Sequence, residues 1–301
     1  MSTLPALSLA AMPGRRRATV ELASEIERRG FPGIYCASFG DGLGLCLSLA
    51  FATKTLRFGT AIANIYARTP FDMAQSAGFV HELSDGRFTL GLGVSHAPVN
   101  QRLGVETGRP LADMRRYVET VRSQAKQVGA LPPIVLATLR RRMVSLAAEI
   151  GDGAVFANAA RSHMPASLRE VPKERLAAGF FVGNMIPTCI DDDRAAAAAV
   201  NRKTLSGYLL LPNYRNYWKE AGYEEEMAAV EAALAKGERD ALPGLMSDRW
   251  LADTTLFGSA AQVRDGLEAW REAGVTTPIV VPSSTRGGQM KAFEEVMAAL
   301  A

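Results

Sequence analysis

The sequence predicts a parallel α/β protein, a single (β/α)8 TIM barrel domain over residues 1–301 with an insertion at about 206–253, before the last β-strand. Three observations predict it. Eight short apolar runs alternate with segments of helical periodicity along 301 residues, a length that suits one such barrel. One stretch, Leu56–Pro110, spells a complete β-α-β unit: apolar runs at Leu56–Ile65 and Arg87–Val94 flank the helical segment Pro70–Leu83. The rhythm fails only from about Ser206 to Asp253, where an aromatic-rich segment and a surface helix stand in place of a β-α unit.

Leu4–Ala11 is the first strand, broken by Pro13-Gly14, and Arg15–Gly30 has helical spacing through Val20, Ala23 and Ile26. Gly33–Ala37 is the second strand, followed by the apolar helix Gly42–Thr53. In the third helix Pro70 suits a first turn, and Phe71, Ala74, Ala77, Gly78 and Leu83 form its apolar face against Asp72, Gln75 and Glu82. Asp85-Gly86 then turns the chain into the fourth strand. Pro110–Lys126 is a helix with Leu111, Met114, Val118 and Val121 on one side. Pro133–Ala137 is strand five and Arg140–Ile150 its helix; Gly153–Ala157 is strand six, with a poor helix at Ser162–Ala178 because of Pro165 and Pro172. Phe180–Ile186 is strand seven, after which Asp191-Asp192-Asp193 caps an alanine-rich helix. Within the insertion Glu224–Ala235 is a surface helix; Gln262–Ala273, Pro278–Pro282 and Gln289–Leu300 close the chain as helix, strand and helix.

Composition narrows the function. With 48% hydrophobic and 22% charged residues and a net charge of +3, the chain has neither the charge nor the basic stripe that nucleic acid requires. No apolar run approaches a membrane span and no leader is visible, so the expected location is cytoplasmic. Cys36, Cys46 and Cys189 lack metal or redox spacing, and their odd number argues against a disulfide framework.

Several segments resemble one family. FGTAIANIYARTP (residues 58–70), SDGRFTLGLGVSHAP (84–98), RP-x3-M-R-x-Y from Arg109 to Tyr117, and PIVLATLRRRMVSLAAEIGDG (133–153) are similar, in order and spacing, to the luciferase-like flavin-dependent oxidoreductases. Gly93-Val94-Ser95-His96 and Ile62–Tyr66 look most like the branch that uses the deazaflavin coenzyme F420. The likeness is good over residues 10–160 and looser over Phe257–Ala301. It implies a barrel holding the ring at the C-terminal strand ends, a small-molecule substrate, and a homodimer packed through its second and third helices, which the apolar Leu43–Ala52 would suit.

Within that resemblance His96 is the candidate catalytic residue. It lies just past strand four, and an imidazole titrating near neutrality suits the proton that accompanies hydride transfer; a histidine bonded to loop backbone is the plainer reading. Gly91, Gly93, Val94 and Ser95 are expected to bring backbone against the ring, although tight packing would select glycine as well. Ala61, Ile62 and Asn64 stand where relatives have a bulge, with a cis peptide expected at or beside Ala61–Ile62; Asn64 serves equally as a turn residue. Thr138, Leu139 and Arg140 open a helix with three arginines and no acid, which suits a phosphate. Arg286, in a glycine-containing loop after the last strand, is a second phosphate candidate. Ser38 stands where relatives often carry an acid, with Asp41 near.

Other chemistries fit less well. Gly93–Ala97 approximates a nucleophile elbow, but with Pro98 next a loop is expected where that motif needs a helix. The dinucleotide fingerprint lacks its third glycine, and no zinc-binding pair is present. The expected activity is F420-dependent hydride transfer to or from a small organic substrate. An FMN-dependent monooxygenase and a non-catalytic flavin-binding barrel are the alternatives. The insertion, with Tyr208, Tyr214, Tyr217 and Trp218, would either cover an apolar substrate or pack on the barrel exterior.

Overall fold

The computed structural model describes residues 4–301. Ten strand segments occur among them: β1 Ala6–Leu9, β2 Gly33–Ala37, β3 Arg57–Ala61, β4 Ala63–Asn64, β5 Phe88–Gly93, β6 Ile134–Ala137, β7 Gly153–Ala157, β8 Phe181–Ile190, β9 Leu256–Gly258 and β10 Thr277–Ser283. With β3 and β4 as one interrupted strand, eight of them are the expected strands in the expected places, alternating with helices as a (β/α)8 barrel requires. The short β9 is the addition, and β8 runs four residues beyond the expected Ile186.

The chain divides into two compact units. The first comprises residues up to Val155 together with Glu170–Gly183. There β1, β2, β3, β5, β6 and β7 pair in that order, all parallel, and β4 continues the ladder along β5. Phe58 and Phe88, side by side in β3 and β5 and fully buried, bring their rings within 5.9 Å. The Arg87 guanidinium lies over Phe58 and donates to the Ala50 and Leu56 carbonyls and the Thr53 hydroxyl. It thereby satisfies the end of the helix Gly42–Ala52, where a cation is also favoured by the helix dipole. The helix Pro70–Leu83 has the expected bounds, with Thr69 accepting from the Asp72 N–H. Its inward face differs from the expected one: Met73, Ala74, Ala77, Gly78 and Val80 are buried, whereas Phe71 and Leu83 face out with Phe79. A helix apolar around most of its circumference does not declare by periodicity which side meets the sheet.

The second unit, Phe156–Arg169 with Asn184–Ala301, holds β8 paired in parallel to β9 and flanked by β10. The helix Arg194–Leu209 is capped by Asp193, which accepts from the Ala196 N–H at 3.0 Å. The insertion is helical: Pro212–Glu220, Glu224–Ala235, a 3-10 turn at Arg239–Leu245 and Asp248–Thr254. Its aromatics are core residues. Trp218, Trp250 and Tyr217 are fully buried, and the two indoles meet edge to face at 4.8 Å. The Trp218 indole N–H donates to the Asn158 carbonyl at 3.1 Å, and the Ala160 N–H donates to the Tyr217 hydroxyl at 3.0 Å. Asp253 completes the packing by accepting from the Ser162 N–H and hydroxyl and from Tyr223. The insertion therefore clamps the segment that leaves β7, and Tyr214, Tyr217 and Trp218 are not displayed as an open cover.

The poor helix at 162–178 is a 3-10 turn at Arg161–His163 running into Met164–Leu168, and a separate piece, Lys173–Ala177, that starts after Pro172. Cys36, Cys46 and Cys189 are free and buried. Among the described residues no helix is long and apolar enough to cross a membrane, and no cluster of His, Cys, Asp or Glu could hold a metal ion.

Candidate active site

In the first unit the C-terminal ends of β3 to β6 gather most of the candidate residues. The pairing of β3 with β5 ends at Gly59 opposite Thr89. The peptide bond between Ala61 and Ile62 is cis, as expected from the bulge. Pairing with β5 resumes at β4, Ala63 opposite Leu92 and Asn64 opposite Gly93. Thr60 fills the gap: its hydroxyl donates to the Gly91 carbonyl at 2.7 Å and accepts from the Gly91 N–H at 2.9 Å.

This interruption explains the glycines. A Cβ on Gly91 would lie 2.0 Å from the Thr60 carbonyl oxygen, and one on Gly93 would lie 2.6 Å from Ile62 Cδ1 and 3.0 Å from Ala137 Cβ. Packing of the interrupted strand demands glycine at position 91, where the obstacle is backbone, and favours it at position 93, where the obstacles are side-chain atoms. Gly91→Ala is accordingly expected to destabilise the fold by about 1–3 kcal/mol, because a backbone carbonyl cannot step aside as a side chain can; a denaturant midpoint equal to wild type would contradict this.

Beyond Gly93 and Val94, Ser95 takes a left-handed backbone, φ +56°, a conformation that few residues other than glycine adopt. The turn delivers His96, whose carbonyl accepts from the Val99 and Asn100 N–H groups and opens a helix, Ala97–Arg102. A loop was expected here; Pro98 sits instead in the first helical turn, where its missing N–H costs nothing. The strand-turn-helix path is thus present after all, so the elbow reading loses the objection that Pro98 raised. His96 is half-buried, and burial holds its pKa below 6.5. The neutral imidazole is therefore favoured at neutral pH.

A residue the sequence did not mark fixes this turn. Asn100, 5% exposed, donates to the Val94 carbonyl at 3.0 Å and accepts from the Asn64 side-chain amide at 2.8 Å. The Asn64 side-chain oxygen Oδ1 meanwhile accepts from the Tyr66 N–H. Asn64 thus does the work of a turn residue and also ties the end of β4 to the His96 turn. Nothing in a lone asparagine of a six-residue helix signals this, since its partner lies 36 positions away. Tyr66 in turn donates to Asp113 at 2.8 Å, and Tyr117 donates to the Arg68 carbonyl. The Arg109–Tyr117 segment thereby acts as a brace for the chain leaving β4.

Thr138 and Leu139 follow β6, and the Thr138 N–H donates to the Val155 carbonyl. The Thr138 hydroxyl is buried and has no hydrogen-bond partner, an uncommon state for a buried oxygen. Arg140 is the N-cap residue of the helix Arg141–Ile150, whose first turn carries no acid and no side-chain cap. Arg141 pairs with Glu170. Ser38 is exposed, and Asp41, the nearby acid, accepts from the Gly44 N–H as cap of the helix Gly42–Ala52. Arg286 belongs to the second unit, where its guanidinium meets Glu295 at 3.1 Å and its N–H donates to the Ser284 hydroxyl.

Known proteins share this architecture. The structure is similar to that of the coenzyme F420-dependent tetrahydromethanopterin reductase from Methanopyrus kandleri, with a TM-score of 0.78 at 16% identity over 99% of this chain and 98% of the other. It is also similar to the oxygenating constituent of 3,6-diketocamphane monooxygenase from Pseudomonas putida, solved with FMN, at TM-score 0.63 and 16% identity over 99% and 98%. In sequence it is 26% identical to the 5,10-methylenetetrahydromethanopterin reductase of Archaeoglobus fulgidus, covering 81% of each chain. Residues 2–277 match the model of the luciferase-like monooxygenase family, and the chain belongs to this family of (β/α)8-barrel oxidoreductases.

Proposed function

We propose that the protein is an F420-dependent oxidoreductase that moves a hydride between the deazaflavin and a small organic substrate. The observation that carries this reading is a half-buried imidazole, its charged form disfavoured by burial, on a turn that the Asn64–Asn100 pair fixes through the Val94 carbonyl. Support comes from the reductase of Methanopyrus kandleri, named as coenzyme F420-dependent, which resembles this chain more closely in fold than the FMN-bound monooxygenase does.

The residues fit such a group. The buried Thr138 hydroxyl lacks a partner, and the neighbouring helix start offers uncapped N–H groups with no acid to repel an anion. Thr138, Leu139 and Arg140 would hold its phosphate, while Ala61, Ile62, Asn64, Gly93, Val94 and Ser95 would border the ring; Arg286 is left to the second unit. When bound, the deazaflavin supplies or accepts the hydride. His96 takes the accompanying proton from a substrate hydroxyl or amine, or returns it in the reverse direction. Asn100 keeps the imidazole in place by fixing the Val94 carbonyl on the preceding turn.

Parallel fluorescence titrations with F420 and FMN test the reading. F420 is expected to bind at micromolar concentration and at least about tenfold more tightly than FMN, a difference of about 1.4 kcal/mol. Preference for FMN would move the chain to oxygen chemistry, and binding of neither would leave a non-catalytic barrel.

The same reading includes a homodimer and a cytoplasmic location. Phe71, Phe79 and Leu83 line the outer face of the helix Pro70–Leu83 at four-residue intervals around Gln75, and Phe51 is 73% exposed on the preceding helix. An apolar face of this kind suits association. Phe79→Glu is expected to convert the protein to a monomer in light scattering; an unchanged mass would exclude this face.

A further inference from the structure

A cavity of about 710 Å3 lies at the other end of the strands in the first unit. Its walls come from N-terminal strand positions: Arg57 opens β3, Asp152 precedes β7, and Phe180 and Phe181 lead into β8. The functional residues described above all stand at the C-terminal ends, so this cavity has no part in the proposed hydride transfer.

Its charge is unbalanced. Three guanidinium groups, of Arg57, Arg122 and Arg175, face one carboxylate, that of Asp152. Arg122 pairs with Asp152 at 3.2 Å, and the same carboxylate accepts from the Ile134 N–H at 2.8 Å. Arg175 is fixed in place: it donates to the Ala148 and Gly151 carbonyls at the end of the helix Arg141–Ile150 and lies over the Phe180 ring at 5.3 Å. Arg57 is exposed and has no ion-pair or hydrogen-bond partner for its guanidinium among the described residues. Beside these cations the cavity is lined by Phe180, Phe181, Pro132 and Pro133, and the buried Tyr35 lies behind Phe181 with ring centroids 5.4 Å apart.

We propose that this cavity is a binding site for a small organic phosphate monoester carrying a flat apolar group. The volume is that of an ordinary small-molecule site. Two uncompensated positive charges match the charge of a phosphate monoester near neutral pH. Guanidinium forks are the groups that bind such oxyanions in two-pronged fashion, and Arg175, already anchored, loses little freedom on binding. The Phe180–Phe181 side takes the apolar portion.

Isothermal titration of the full chain with phenyl phosphate at fixed ionic strength tests the assignment. Saturable binding is expected, weakened about tenfold or more in Arg57→Gln and unchanged in Thr138→Val. Thr138→Val separates this site from the phosphate site assigned to the opposite strand ends. Binding lost in Thr138→Val and kept in Arg57→Gln would overturn the proposal, as would no saturation at millimolar ligand. Equal affinity for inorganic phosphate would overturn the role of the apolar wall, and equal affinity for benzoate the role of the phosphate. Should Arg57→Gln fail to fold, phenylglyoxal labelling of the wild-type protein decides: phenyl phosphate protects the Arg57 peptide if it binds here, and an unprotected peptide refutes it.

Discussion

His96→Gln is expected to lower turnover about 10²–10⁴-fold, the usual worth of a positioned proton-transfer group, while F420 affinity changes little. Glutamine keeps the bulk and a hydrogen-bonding head but cannot exchange a proton near neutrality. The split is the test: a large loss in kcat with an unchanged Kd for the cofactor places His96 in proton transfer, and equal losses in both would make it a binding residue. The pH profile adds a second check. Burial holds the imidazole pKa below 6.5, so in the direction that removes a proton from substrate, wild-type turnover rises with pH below 6.5 and then levels. Stability follows the same group with a definite sign. The unfolded chain binds the proton more readily than the folded one, so His96 causes stability to fall as pH drops below 6.5, until the folded pKa is passed. His96→Gln is expected to flatten that part of the stability curve in urea titrations at successive pH values; an unchanged slope would contradict it.

Trp218→Ala is expected to cost about 3–5 kcal/mol, enough to threaten the fold of a marginally stable protein. The indole is fully buried, its N–H holds the Asn158 carbonyl at 3.1 Å, and its ring packs on Trp250 at 4.8 Å and Tyr214 at 5.4 Å. Removing it leaves a large cavity and an orphaned buried carbonyl together. Thermal and denaturant unfolding measure the loss. A cost below about 1 kcal/mol would mean that the aromatic segment moves aside freely, as a substrate cover would, because surface changes rarely exceed that range.

The sequence by itself determined the order and class of the elements, since alternating apolar runs and amphipathic segments leave few ways to bury both faces of a parallel sheet. It also determined local stops and starts: Pro70 opening a helix, Asp193 capping another, and the β-α-β unit of Leu56–Val94, whereas the break at Ile62 was expected only from the family resemblance. These features depend on neighbours within a few positions. The tertiary structure decided the rest. Gly91 is required by the Thr60 carbonyl and Gly93 favoured by Ile62, contacts across a ladder about 31 residues apart in the chain, so the same glycines read from sequence pointed equally to a ring. The orientation of Pro70–Leu83 depended on which side the sheet occupied, and the helix after His96 on satisfying a turn that Ser95 reverses. Asn100 acquired its role only when Asn64 arrived beside it. Burial of Trp218 likewise needed the chain leaving β7 as its partner. In each case the deciding interaction joins residues distant in sequence, and no local pattern records which distant group will arrive.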